Sequence, residues 1–194
     1  MKETHRNITL CISGTPSPTL VCPPESLDIG KNLGRVCREY GIDIMTTSTT
    51  GFPLWVALAA QGRSESAMQT STTIAFSPAS SQREHTEIFR LPLTGFSHII
   101  YTGFGTSGSS VLALRSSDAV IFGCGGMSSV LECVTAIQEN KPIGILEGPW
   151  ETDEVLKEML ASHYPDYEYV ITDPDPRRLV DQVIKRVKTL RALS

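Results

Sequence analysis

Apolar runs of strand length alternate along this chain with longer stretches of helical periodicity. Residues 8–12 predict a first strand, broken by Ser13, Gly14, Thr15 and Pro16. Leu27, Leu33 and Val36 predict a helix over 26–40, stopped by Gly41 before a second strand at 42–45. A helix at 53–61 opens on Pro53, where a missing N–H does little harm. A third strand follows at 72–76. Residues 77–95, polar and interrupted by prolines, read as a long loop, and 98–102 as a fourth strand.

The second half repeats the pattern more clearly. The Gly/Ser-rich stretch 103–110 reads as a flexible loop before a short helical piece at 111–115. Residues 119–122 predict a buried strand, 123–126 a glycine turn, and 129–139 a helix with Val130, Cys133, Val134 and Ile137 on one side. A strand at 142–146, a helix at 152–160, a short strand at 169–171 and a closing helix at 176–193 complete the chain. Branched, non-alternating strands separated by helices predict an α/β fold. Its Rossmann-like parallel sheet would carry helices on both faces, in three layers.

Length and charge narrow the function classes. The 194 residues suit one compact domain. Seventeen basic against twenty-one acidic residues leave a net charge of −4, without the basic excess a nucleic-acid footprint needs. The basic residues of the last helix, Arg177, Arg178, Lys185, Arg186, Lys188 and Arg191, read as a solvated face. No apolar run is long enough to span a bilayer, and no leader precedes the first strand, so a membrane is not expected. Five scattered cysteines argue against a disulfide framework or a zinc knuckle, and point to a reducing, cytoplasmic setting. The histidines His5, His85, His98 and His163 have no metal-ligand spacing, and no resident cofactor or metal is implied.

The most informative chemistry lies around residues 115–132. Gly123, Gly125 and Gly126 let the backbone turn tightly at the end of a strand and approach a ligand closely. The following helix start offers free N–H groups and a positive dipole end, with Met127, Ser128 and Ser129 beside it. Ser129 and Glu132 also have the spacing of a capping box, a purely structural alternative. Cys124 invites a nucleophile reading, but no histidine partner is legible.

This stretch resembles the nucleotide-binding Rossmann-like proteins once labelled "possible lysine decarboxylases", which include phosphoribohydrolases acting on cytokinin nucleoside monophosphates. Their Pro-Gly-Gly-x-Gly-Thr-x-x-Glu motif is matched by Cys124, Gly125, Gly126, Ser128, Ser129 and Glu132, after the pair Ser117-Asp118. Thr135-Ala136-Ile137 and Lys141-Pro142-Ile143 continue the likeness. The resemblance implies one nucleotide-binding domain over 1–194, a homodimer or higher homo-oligomer, and Glu132 as the essential carboxylate. It departs where the family's catalytic arginine is expected, since Ser109 and Ser110 stand there and Arg115 is the nearest cation.

Three function classes follow. The first is binding of a phosphorylated small molecule, a nucleotide foremost, at Gly125, Gly126, Met127, Ser128 and Ser129. In that reading Gly103, Gly105, Thr106, Ser107, Gly108 and Ser109 line one side, and Ser13, Gly14 and Thr15 contribute from the first strand. The second is hydrolysis of a nucleoside 5'-monophosphate, with Glu132 and Arg115 as catalytic residues. A non-catalytic oligomeric or regulatory protein is the third. Trp55 and Trp150 read as packing residues, and Phe52 and Phe104 as better placed to meet a base.

Overall fold

A computed structural model of the chain describes residues 7–15, 22–61 and 71–193. His5 and Pro16 lie outside them. The seven strands are β1 (Thr9–Ser13), β2 (Asp43–Thr47), β3 (Thr73–Ser77), β4 (His98–Tyr101), β5 (Ala119–Phe122), β6 (Ile143–Leu146) and β7 (Val170–Asp173). All pair in parallel, in the order β4-β3-β2-β1-β5-β6-β7. Leu10 therefore sits between Ile44 of β2 and Ala119 of β5. The order reverses between β1 and β5. In open α/β sheets the crevice at such a reversal, beyond the carboxyl ends of the strands, is where ligands lie.

Six helices cover the sheet: α1 (Ser26–Glu39), α2 (Phe52–Ala60), α3 (Gly105–Arg115), α4 (Met127–Gln138), α5 (Thr152–His163) and α6 (Pro176–Leu193). Because side chains alternate along a strand, β1 and β5 feed two cores. Leu10, Ile12 and Ile121 pack with Leu33, Val36, Val56 and Val183 beneath α1, α2 and α6. Cys11, Val120 and Phe122 pack with Leu114, Cys133, Ala136 and Leu156 beneath α3, α4 and α5. Two layers of helices around a parallel sheet make the three-layer, Rossmann-like architecture expected from the strand pattern. Among the described residues no helix is long and apolar enough to cross a membrane.

Three local expectations are corrected. The stretch 103–110 is not a loop: α3 begins at Gly105 and runs unbroken to Arg115. Gly103 and Gly105, both at positive φ, supply the turn into it, and their N–H groups are taken by the carbonyls of Ala79 and Pro78. Glycine reads as loop in a sequence, yet at a helix entrance it is what lets the chain turn. Helix α4 likewise begins at Met127, ahead of Ser129.

The third correction concerns residues 77–95, which hold a π-helical turn at Glu84–Ile88 around a fully buried His85. Its Nδ1 lies 2.8 Å from Ser77 Oγ, and its Nε2 lies 3.1 Å from the carbonyl of Pro92. A carbonyl can only accept, so Nε2 donates. His85 pins the excursion to the end of β3, and a solvated loop does not describe it. Replacing it by leucine removes both hydrogen bonds, leaving Ser77 Oγ only the N–H of Ala79, and should lower stability by about 2 kcal/mol. Urea titration measures this, and a loss under about 0.5 kcal/mol would contradict the anchoring role.

The odd cysteine count misleads as well. Cys22 and Cys124 form a disulfide across 102 residues of sequence, while Cys11, Cys37 and Cys133 are free and buried. Spacing along the chain says little about which cysteines a parallel sheet brings together.

Candidate functional site

The glycine turn after β5 opens onto a cavity of about 660 Å³ at the carboxyl ends of β5 and β6. Gly125, Gly126, Met127 and Val130 form one wall. Pro149, Trp150, Glu151, Thr152 and Val155 form another, and Cys22 and Pro23 complete the rim. A Cβ on Gly125 would overlap Ser129 Oγ and lie 3.2 Å from Thr152 Cγ2, so the turn needs glycine there for space. Gly126 faces open space, with extended backbone at φ −151° and ψ −154°.

Helix α4 has no side-chain cap, and Ser129 donates its N–H to the carbonyl of Gly126 at 2.9 Å. The capping-box reading of Ser129 and Glu132 is therefore replaced. Gly125 N–H is taken by Thr152 Oγ1 at 2.9 Å. Among the described residues no partner takes the N–H groups of Gly126, Met127 or Ser128. Such groups at a helix start, with the dipole behind them, attract anions. Trp150 Nε1 is a further buried donor without a partner among the described residues.

Glu132 is not on the cavity wall. It lies partly buried among hydroxyls, hydrogen-bonded to Ser13 and Ser110, with Ser13 Oγ also 3.4 Å from Ser129 Oγ. Burial pushes its carboxyl above the ordinary carboxylate range, and the two serine hydroxyls oppose that rise. A raised pKa means the folded state holds the proton more tightly than the unfolded one. Stability from this group is present at low pH and is lost as pH climbs through the folded pKa. Glu132→Gln should therefore be increasingly stabilising relative to wild type as pH rises from about 4, until pH passes the folded-state pKa of Glu132. Thermal melts across that range check it, and a gap that narrows with rising pH would overturn it.

The other sequence candidates divide by location. Gly14 and Gly123 pack on Phe52, and a Cβ on Gly14 would lie 2.9 Å from the carbonyl of Cys124. Thr15 N–H is held by that same carbonyl at 2.8 Å. Ser109 is fully buried, with its hydroxyl donating to Thr106 O at 2.9 Å, and a Cβ on Gly108 would crowd Phe104. Phe52 is fully buried in the core and meets no open site, which corrects its reading as a base-stacking residue.

Arg115 is corrected most plainly. It ends α3 at the opposite edge of the sheet, paired with Glu139 at 3.2 Å, because α3 runs antiparallel to the strands. It cannot share a site with Glu132. Asp118, at that same far edge, accepts Thr9 N–H at 2.9 Å and pairs with Arg191 at 2.6 Å.

Sequence reasoning missed the β6 side: Thr152, and Trp150 as a cavity residue. The available signal was their place just after a strand next to β5 in the sheet, where the carboxyl-end rule also applies.

A family model described as the SLOG cluster4 family (LDcluster4) matches residues 7–180. The chain belongs to that family. The likeness to "possible lysine decarboxylases" is thereby borne out. No curated protein matches this SLOG cluster4 chain in sequence. Among solved structures, the molybdenum cofactor binding protein from Rippkaea orientalis is 19% identical, with 95% of this chain and 99% of that one covered at a TM-score of 0.72. The molybdenum cofactor carrier protein from Chlamydomonas reinhardtii is 17% identical, with coverage of 95% and 99% and a TM-score of 0.71. DNA processing protein A from Helicobacter pylori, described by its single-stranded DNA binding mode, is 19% identical, with coverage of 92% and 81% and a TM-score of 0.61. At these identities the SLOG cluster4 protein shares their fold.

Proposed function

We propose that this protein binds and carries a phosphorylated small molecule, foremost a nucleotide, at the start of α4, and performs no chemistry on it. The observation that carries this reading is the set of N–H groups at Gly126, Met127 and Ser128 that no described residue accepts, at a helix start where Gly126 and Met127 line the cavity. Backbone donors can hold a phosphate without any cation, which fits the acidic balance of the chain. The apolar wall of Val130, Pro149, Trp150 and Val155 suits the remainder of such a ligand.

Hydrolysis is the weaker reading. Serines occupy the position of the family's arginine, Arg115 lies at the far edge, and Glu132 is engaged by serine hydroxyls off the cavity. Nucleic acid is disfavoured too, because four of the six cations of α6 are neutralised in place. Arg177 pairs with Glu39, Arg178 with Asp173, Lys185 with Asp181 and Arg191 with Asp118.

Isothermal titration with AMP, other nucleoside monophosphates and the molybdenum cofactor tests the proposal, the last because carriers of this fold bind it. Saturable binding below about 1 mM, without release of ribose 5-phosphate, is the expected result. No binding at millimolar concentration by folded protein would overturn the site. Ribose 5-phosphate release abolished by Glu132→Ala would instead establish the hydrolase.

A further inference from the structure

The disulfide lies on the wall of the cavity, and its two sulfurs are unequally placed. Cys22 is partly exposed and forms part of the rim, whereas Cys124 is fully buried in the turn beneath Gly125. The Cα atoms are 5.9 Å apart, inside the range that a disulfide spans without backbone movement. Two backbone hydrogen bonds already join the ends of β1 and β5: Thr15 N–H to Cys124 O at 2.8 Å, and Gly123 N–H to Ser13 O at 3.1 Å. The sheet therefore does not depend on the bond. What the bond adds is a tether between the cavity rim ahead of α1 and the glycine turn.

We infer that Cys22–Cys124 is a thiol–disulfide exchange site, at which a small dithiol entering the cavity reduces the protein and releases the rim. The thiolate of the dithiol attacks the accessible Cys22 Sγ, the S–S bond breaks, and Cys124 leaves as a thiolate that takes up a proton. The second thiol of the reagent, once deprotonated, attacks its own sulfur in the mixed disulfide. It expels Cys22 as a thiolate, which is protonated in turn, and closes a cyclic disulfide. Two electrons pass from the dithiol to the protein, and its two protons end on Cys22 and Cys124.

Attack is directed to Cys22 because only that sulfur is reachable. The leaving group is Cys124, two residues ahead of the Gly126 cap, where the N-terminal end of α4 favours a thiolate. The remaining cysteines take no part. Burial pushes the Cys37 and Cys133 thiols up to about 12 and raises Cys11 well above its ordinary value. Redox chemistry is thus confined to one pair, and it faces the same cavity as Trp150.

The experiment treats air-oxidised full-length protein with graded dithiothreitol, then blocks thiols with N-ethylmaleimide for intact-mass and peptide analysis. Two labels, on Cys22 and Cys124, with unchanged far-ultraviolet circular dichroism, are expected. Limiting glutathione with acid quench should place its adduct on Cys22. Maleimide should label Cys22 in Cys124→Ser at least tenfold faster than Cys124 in Cys22→Ser. Tryptophan emission should change on reduction in wild type and not in Trp150→Phe, which keeps Trp55. Five labels appearing together, no label before denaturant, or a glutathione adduct on Cys124 would overturn the site. Unchanged emission in wild type would overturn its link to the cavity. If either serine variant fails to fold, the wild-type glutathione arm decides the point of attack.

Discussion

Replacing Gly123 by alanine is expected to cost about 3 kcal/mol of stability, although the change adds one methyl group at a position with ordinary backbone angles. The reason is Phe52. A Cβ on Gly123 would overlap three carbons of that ring, which is itself fully buried. The ring is packed on its other sides, meeting Trp150 edge-on at 5.7 Å and Trp55 at 6.4 Å, with Gly14 and Gly30 close against Phe52.

For a chain of this size the loss corresponds to a fall of roughly 10 °C in the melting temperature. Phe52→Leu is itself destabilising, but it removes ring atoms and should absorb part of the clash. The double variant should then be more stable than the sum of the single losses by at least about 1 kcal/mol. Chemical denaturation of the four proteins measures this. A Gly123→Ala loss under about 0.5 kcal/mol, or strict additivity, would show that the ring moves aside freely.

Met127→Pro should weaken binding of a phosphorylated ligand by at least tenfold, while leaving the fold in place. Met127 is the first residue of α4, is 81% exposed, and has an N–H that no described group accepts. Proline is well tolerated at that position, and the residue before it must be extended, as Gly126 already is. The substitution thus deletes one donor with little structural cost. A hydrogen bond to a charged group contributes about 1.5–3 kcal/mol, which corresponds to roughly ten- to over a hundredfold in affinity. Calorimetric titration with AMP, beside a thermal melt, separates the two effects. Unchanged affinity with an unchanged melt would remove α4 as the phosphate site. Met127→Ala, which keeps the N–H, should bind nearly as wild type.

These two positions show how differently the chain discloses its parts. The glycine turn is legible because glycine, serine and a following apolar helix are a local pattern, and local patterns survive in sequence. What each glycine does is not legible. Gly123 serves the core and Gly125 makes room for Ser129, while only Gly126 faces open space. Glu132 is legible by its spacing from the glycines. Its surroundings come from β1 and α3, so neither its hydroxyl partners nor its place off the cavity could be read. Arg115 is near the glycine turn in sequence, but an antiparallel helix carries it to the other end of the strands.

By itself the sequence determined the α/β class, the strand succession, the glycine-rich entrance to α4 and the absence of a cation near Ser109. Each depends on residue type and short-range period, which a single stretch of chain contains in full. Tertiary structure decided the rest. It paired Cys22 with Cys124, buried His85, and brought Trp150 and Thr152 to the cavity. A parallel sheet joins strands through long crossovers, so neighbours at its carboxyl edge are far apart in sequence, and only the strand order says which of them meet.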